Sequence, residues 1–237
     1  MRKNVLVLGG SSSIGMACIK VFLSNNWVVH AHYNKNNNSF KKLKLNNKNM
    51  LNLYKCDFAN QNQINKFTNK ISKKKICSIV NLIGYIDNIK YKNSSLKSLI
   101  KSLTINTIIP IMIEKKLLPY MIKIKFGRIL NASSIGVKYG GGEYTYNYSF
   151  AKHALEYIPS YLRKLADKNI LTNVLRIGFV KSKIHKKIKG KNIKKRISLI
   201  PMKRQAVPSE IANTIFNLSS DHNTYISNEI VTISGGE

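Results

Sequence analysis

The chain has 237 residues, of which 40 are Lys or Arg and 10 are Asp or Glu, giving a formal net charge of +30. Hydrophobic residues make up 43%, an ordinary share for a globular protein of a length that can bury one sizeable core. The longest apolar runs are broken by Asn106, Pro110 and Glu114 or by lysines, so none reads as a membrane span, and a first strand starting near Lys3 leaves no room for a signal peptide.

In chain order, apolar runs with strand character alternate with stretches of helical period. Strands are expected at 4–8, 27–32, 51–56, 77–83, 127–131, 172–177 and 230–233. Helices are expected at 14–24, 61–71, 96–120 with a kink at Pro110, 148–167 and 208–219. Near-continuous apolar strands separated by helices indicate a parallel sheet covered on both faces. The expected fold is therefore α/β, a single doubly wound Rossmann-type domain over 1–237 with a seven-stranded parallel sheet. The lysine-rich stretch 181–203 is the one long irregular insertion, placed where such loops close over a substrate.

The stretch VLGGSSSIG follows the first strand and opens the first helix, the position a dinucleotide-binding loop requires. Gly9 can adopt a backbone closed to other residues, and Gly15 allows tight packing of helix on strand. The helix N-terminus offers free N–H groups to a pyrophosphate. Downstream, NYSFAKHAL puts Tyr148 and Lys152 four residues apart, hence on one helix face. A lysine ammonium beside a phenol lowers a pKa that starts near ~10, making the tyrosine a usable proton donor. The preceding strand ends in Ser133 and Ser134, whose hydroxyls can bond a substrate carbonyl as charge develops on it.

Three scattered cysteines, Cys18, Cys56 and Cys77, have no metal-ligand spacing and read as reduced core residues of a cytoplasmic protein, and no metal is expected. The lysines are spread over the whole chain and no nucleic-acid recognition motif accompanies them. The charge is read mainly as compositional drift, with a selected electrostatic role as the alternative.

Taken in order, these motifs resemble the short-chain dehydrogenase/reductase (SDR) family over essentially the whole chain. LGGSSSIG stands where the family has Thr-Gly-x-x-x-Gly-Ile-Gly, with Leu8 in place of the threonine and Ser13 in place of the middle glycine. The resemblance implies a cofactor cradle from Gly9, Ser11, Ser12, Ser13, Ile14 and Gly15. It also implies Asp57 near the adenine, and NLIG (Asn81 to Gly84) in place of Asn-Asn-Ala-Gly. Asn106, Ser134, Tyr148 and Lys152 match the family's catalytic tetrad, with Ser133 as the fallback serine because the spacing to Tyr148 is one residue longer than in many members. Gly178, Val180 and Ser182, in RIGFVKS, are implied on the nicotinamide side.

The mechanism implied is hydride transfer to a carbonyl held by Ser134 and Tyr148, with Tyr148 giving the proton. Lys152 would depress the tyrosine pKa and hold the nicotinamide ribose, and Asn106 would position a relay water. No acid follows the second strand to take a ribose 2′-hydroxyl; Asn34 and Lys35 stand there instead, which favours NADPH. Within the family the chain is most similar to 3-oxoacyl-[acyl-carrier-protein] reductases. An acidic acyl carrier protein would be a partner, with Lys125 and Lys168 as docking residues. The resemblance also implies a homotetramer through the helices at 96–120 and 148–167. The alternatives are a reductase of a sugar-linked or other small carbonyl, and a binding protein without turnover.

Overall fold

The structure is a computed structural model and describes residues 2–35, 38–182, 188 and 192–237. Its elements in order are β1 (Asn4–Leu8), α1 (Ser13–Ser24), β2 (Val28–Tyr33), α2 (Lys41–Asn46), β3 (Leu51–Lys55), α3 (Gln61–Ile71) and β4 (Ser78–Asn81). Next come α4 (Leu96–Leu103), a π turn (Thr104–Ile108), α5 (Ile109–Ile124), β5 (Gly127–Ser134), α6 (Tyr146–Leu155) and α7 (Ser160–Lys164). The remainder is β6 (Ile170–Ile177), α8 (Ile193–Ser198), α9 (Pro208–Ser219) and β7 (Ile230–Ile233). All seven strands are parallel, in the order β3-β2-β1-β4-β5-β6-β7. The doubly wound sheet read from the sequence is the fold.

The alternation of side chains along β1 divides the core in two. Val5 and Val7 face α1 and α9, meeting Cys18, Ile19 and Phe22 of the one and Ile211, Ile215 and Phe216 of the other. Leu6 and Leu8 face α3 and α5, meeting Ile64 and Phe67, then Ile113, Leu117 and Met121. A strand buried on both faces must be apolar at every position, which is why NVLVL shows no polar alternation.

Three expectations are corrected. The helix expected at 148–167 is broken: α6 ends at Leu155, and Pro159 sits extended (ψ 145°) before α7. Proline cannot donate to the helix ladder and disfavours helical backbone in the residue before it. The helix expected at 96–120 runs to Ile124, and its irregularity is the π turn just ahead of Pro110. By length and composition Leu96–Ile124 could cross a membrane, yet its apolar face packs on the sheet. The 181–203 insertion contains α8, and Arg196 on that helix pairs with Glu237 beyond β7. The remainder of the expected lid at 183–187 and 189–191 lies outside the described residues.

Candidate active site

Strand order reverses at β1, which lies between β2 and β4, so the loops after β1 and β4 leave the sheet side by side. Crevices at such reversals are where open α/β sheets bind ligands. Gly9 has φ +77°, and a Cβ there would lie 2.8 Å from the Leu82 carbonyl oxygen, so only glycine lets the two loops touch. At Gly15 a Cβ would stand 2.5 Å from the Gly9 oxygen, so the first turn of α1 rests directly on the loop. Ser12 caps α1, its Oγ accepting from Gly15 N at 3.0 Å, and the first turn carries no acid. Ser11 and Ser12 are exposed, and Ser13 and Ile14 are half-buried beside them. This loop and helix N-terminus suit a pyrophosphate.

At the end of β2, Asn34 and Lys35 are exposed, and Asn34 Nδ2 reaches Asp57 Oδ1 at 3.5 Å. The same oxygen accepts from Ala59 N at 2.9 Å. Just beyond is a cleft of about 350 Å³ lined by Phe58, Gln61, Ile64, Lys101, Thr104 and Ile105.

Asn81 is fully buried at the end of β4, donating to Asn131 Oδ1 at 2.8 Å and accepting from Ile83 N at 3.2 Å. It shapes the loop that delivers Gly84 to the surface. Asn106, in the π turn, accepts from Tyr85 N at 2.7 Å and donates to Tyr85 O at 3.0 Å and to Ser102 O at 3.0 Å. Its side chain is thus committed to the loop after β4. Pro110 supplies no N–H to the Asn106 carbonyl four residues back, consistent with the π turn at this point. Thr107 Oγ1 donates to Ala151 O at 2.6 Å, joining the π turn to α6.

Ser134 ends β5 and Tyr148 lies in the first turn of α6, near enough that the serine hydroxyl favours the phenolate. Ser134 Oγ also accepts from Gly136 N at 3.2 Å. Ser133 faces away, buried, and donates to Glu156 Oε1 at 2.6 Å. Between Ser134 and Tyr148 the chain turns through Gly140 and Gly141, both left-handed (φ +71° and +83°). Lys152 is buried one turn after Tyr148 and donates to Ala132 O; its Nζ is 5.9 Å from the Tyr148 ring centroid.

Burial dominates both titrating groups. It brings Lys152 down to about 7 and pushes Tyr148 up to about 12, against the lowering effect of the Ser134 hydrogen bond. The expected depression of the phenol by Lys152 is not what this geometry produces. The ammonium is turned to a carbonyl of β5, and what opposes burial at the phenol is Ser134. Past β6, a Cβ on Gly178 would stand 2.5 Å from Ser234 Cα, and Val180 is buried in a bridge with Ala206. Ser182 follows, half-buried.

Two sets of residues were not singled out from the sequence. Glu156 accepts from Ser133 and from Arg176, Nε at 2.9 Å and Nη2 at 2.6 Å, clamping α6 to β5 and β6. Its signal was an acid four residues after Lys152 in a chain with few acids. The second is His32 on β2, which accepts from Gly9 N at 3.2 Å; a histidine inside an apolar strand was its signal.

A dinucleotide-type loop at a strand-order reversal, with a serine, tyrosine and lysine gathered at the neighbouring strand end, defines an oxidoreductase of the Rossmann class. A family sequence model described as Enoyl-(Acyl carrier protein) reductase matches residues 9–237, and the chain belongs to the short-chain dehydrogenase/reductase family. It is 33% identical to 3-oxoacyl-[acyl-carrier-protein] reductase FabG of Buchnera aphidicola over 157 residues, covering 66% of this chain and 61% of that protein. Against the FabG of Thermotoga maritima the match spans 50% of the relative's length. The FabG of Rickettsia typhi is 26% identical over 240 residues, covering 99% of this chain and 96% of the relative. Among solved structures, ElxO with NADP bound has a TM-score of 0.83 at 26% identity, covering all of this chain and 98% of ElxO. YwfH, an NADPH-dependent reductase of bacilysin biosynthesis, has 0.88 at 21% with the same coverage.

Proposed function

We propose that the protein is an NADPH-dependent carbonyl reductase whose substrate is a 3-oxoacyl thioester carried on acyl carrier protein. The observation that carries the reading is the gathering of three side chains: Ser134 at the end of β5 beside Tyr148 on α6, and the buried Lys152 one helical turn further on. The cradle fits the cofactor. Gly9 permits backbone approach, α1 presents a capped N-terminus without acid, and β2 ends in Asn34 and Lys35 rather than in the acid that would take a 2′-hydroxyl. NADPH supplies hydride to the carbonyl carbon when bound. Ser134 and Tyr148 hold the carbonyl oxygen, Tyr148 gives it a proton, and Lys152 holds the nicotinamide ribose and refills the proton through water at Asn106. The space between Phe58 and Ile105 takes the adenine, and Gly178, Val180 and Ser182 flank the nicotinamide. The thioester is favoured over a sugar-linked carbonyl because several of the relatives, one of them matched over nearly its full length, are such reductases.

Lys125 and Lys168 do not flank this site within one protomer. They precede β5 and β6 respectively, at the end of the sheet opposite Ser134, roughly 25 Å away at about 3.3 Å per strand residue. Carrier-protein docking on them requires the site of a neighbouring protomer. Such a neighbour has apolar side chains to cover: Leu96 and Ile100 on α4, Met112 on α5, Phe150 on α6 and Tyr157 just after it are each exposed. Assembly into a cytoplasmic tetramer through this face is part of the proposal. Ile100→Glu combined with Met112→Glu is expected to give a smaller species by light scattering, and an unchanged mass would remove this interface.

The test of function follows NADPH absorbance with acetoacetyl-acyl carrier protein, with acetoacetyl-coenzyme A and NADH in parallel. Oxidation preferring NADPH and the carrier-bound thioester is expected. Faster turnover with NADH would overturn the cofactor assignment, and NADPH binding without turnover of either thioester would turn the substrate search to other small carbonyls.

A further inference from the structure

We propose that His32 is a positioning residue for the cofactor loop, holding Gly9 through a neutral imidazole whose proton lies on Nε2. The inference rests on reading the glycine loop as a nucleotide cradle.

The proton inventory fixes the ring's state. Gly9 N–H points at Nδ1 from 3.2 Å and has only a hydrogen to offer, so Nδ1 must present its lone pair. Nε2 lies 2.9 Å from the Cys56 carbonyl oxygen, which has only lone pairs, so Nε2 must carry the hydrogen. One tautomer satisfies both contacts, and an imidazolium breaks the first. The main chain adds a third tie, Gly10 N donating to the His32 carbonyl at 2.8 Å.

The ring's faces are equally committed. Phe58 stacks on it with centroids 4.4 Å apart and an 18° tilt, and Phe67 lies at 5.5 Å. Phe58 also lines the cleft assigned to the adenine. One side chain therefore couples the turn under the pyrophosphate to the wall beside the base. The titratable groups beside the ring are Asp57, just past β3, and Cys56, whose thiol burial lifts to about 12. Burial holds His32 down to about 4 against the upward pull of the Cys56 carbonyl and Asp57. The loop carries Leu8 before Gly9 and so has no hydroxyl of its own there; His32 supplies an acceptor from the adjacent strand.

Two isosteres separate the contacts. Asn carries its carbonyl oxygen where Nδ1 stood, so His32→Asn keeps the acceptor for Gly9. Gln carries its amide nitrogen where Nε2 stood, so His32→Gln keeps the bond to Cys56 and loses Gly9. NADPH dissociation constants are read by fluorescence, with thermal melting as a check on folding. His32→Asn is expected to stay within about threefold of wild type, and His32→Gln to weaken NADPH by about tenfold, as loss of one buried hydrogen bond implies. Equal affinity of Gln and Asn variants, with wild-type binding intact, overturns the role of His32 alone. Wild type that binds neither NADPH nor NADH overturns the nucleotide reading itself. Nitrogen-15 NMR of the histidines then still decides the contact, since an Nδ1–H tautomer at neutral pH would refute it.

Discussion

Replacing Tyr148 by Phe is expected to lower NADPH-dependent turnover by about a thousandfold, within the range for loss of a positioned general acid. NADPH affinity should stay within about a factor of three, because the lost hydroxyl faces Ser134 rather than the loop after β1. Single-turnover kinetics and equilibrium binding on the same preparation separate the two effects. Turnover that survives the substitution would mean another group supplies the proton.

The pH dependence has a definite sign. Burial holds Tyr148 up at about 12, so it carries its proton at any practical assay pH. Lys152 sits at about 7 and is cationic only below that value. Reductive kcat/KM is therefore expected to fall as pH rises through about 7, and the limb should vanish in Lys152→Met. A profile that is flat there in the wild type would detach Lys152 from the reaction. The same shift bears on stability. The unfolded lysine keeps its proton up to about 10.5, so between about 7 and 10.5 folding releases it, and stability gains up to about 1.4 kcal/mol per pH unit. The buried lysine therefore carries a folding cost at neutral pH, as functional sites often do.

What the sequence made legible follows from where each constraint acts. β1 and the loop after it are local. An apolar run ending in glycine admits few readings, and the structure puts strand, turn and helix within a residue or two of the expected positions. The break of the 148–167 helix was also written locally, in Pro159, but the helical period on either side outweighed it. The short α2 and α8 stayed hidden because each has six residues, three of them basic, too few for an apolar stripe to show. Tyr148 and Lys152 could be paired because they share one helix. The partners Glu156 of Ser133, Tyr85 of Asn106, and Gly9 and Cys56 of His32 could not, since each lies more than twenty residues away. Ser133 and Ser134 were indistinguishable by type, and the pleat of β5 separates them. Successive side chains take opposite faces, so one meets Tyr148 and the other Glu156.

That buried carboxylate carries the largest stability effect expected outside the core. Glu156 is nearly inaccessible and holds both Ser133 and Arg176, and the carboxylate in turn holds the arginine's proton more firmly. Removing one member of a buried pair strands the other charge and costs roughly 3–5 kcal/mol. Arg176 keeps some access to solvent, so Glu156→Ala belongs at the lower end, about 3 kcal/mol. For a chain of this size that is a fall in Tm of roughly 10 °C. Replacing both residues, Glu156→Leu with Arg176→Met, removes the stranded charge and is expected to recover most of the loss. The leucine gives Ser133 no acceptor, however, and leaves α6 held to β5 and β6 by packing alone. If the pair serves only stability, the double variant should turn over as wild type does once its Tm is restored. If the clamp also holds Tyr148 and Lys152 in register with Ser134, kcat should remain depressed about tenfold in a protein that melts normally, an alignment loss of about 1.4 kcal/mol in the barrier.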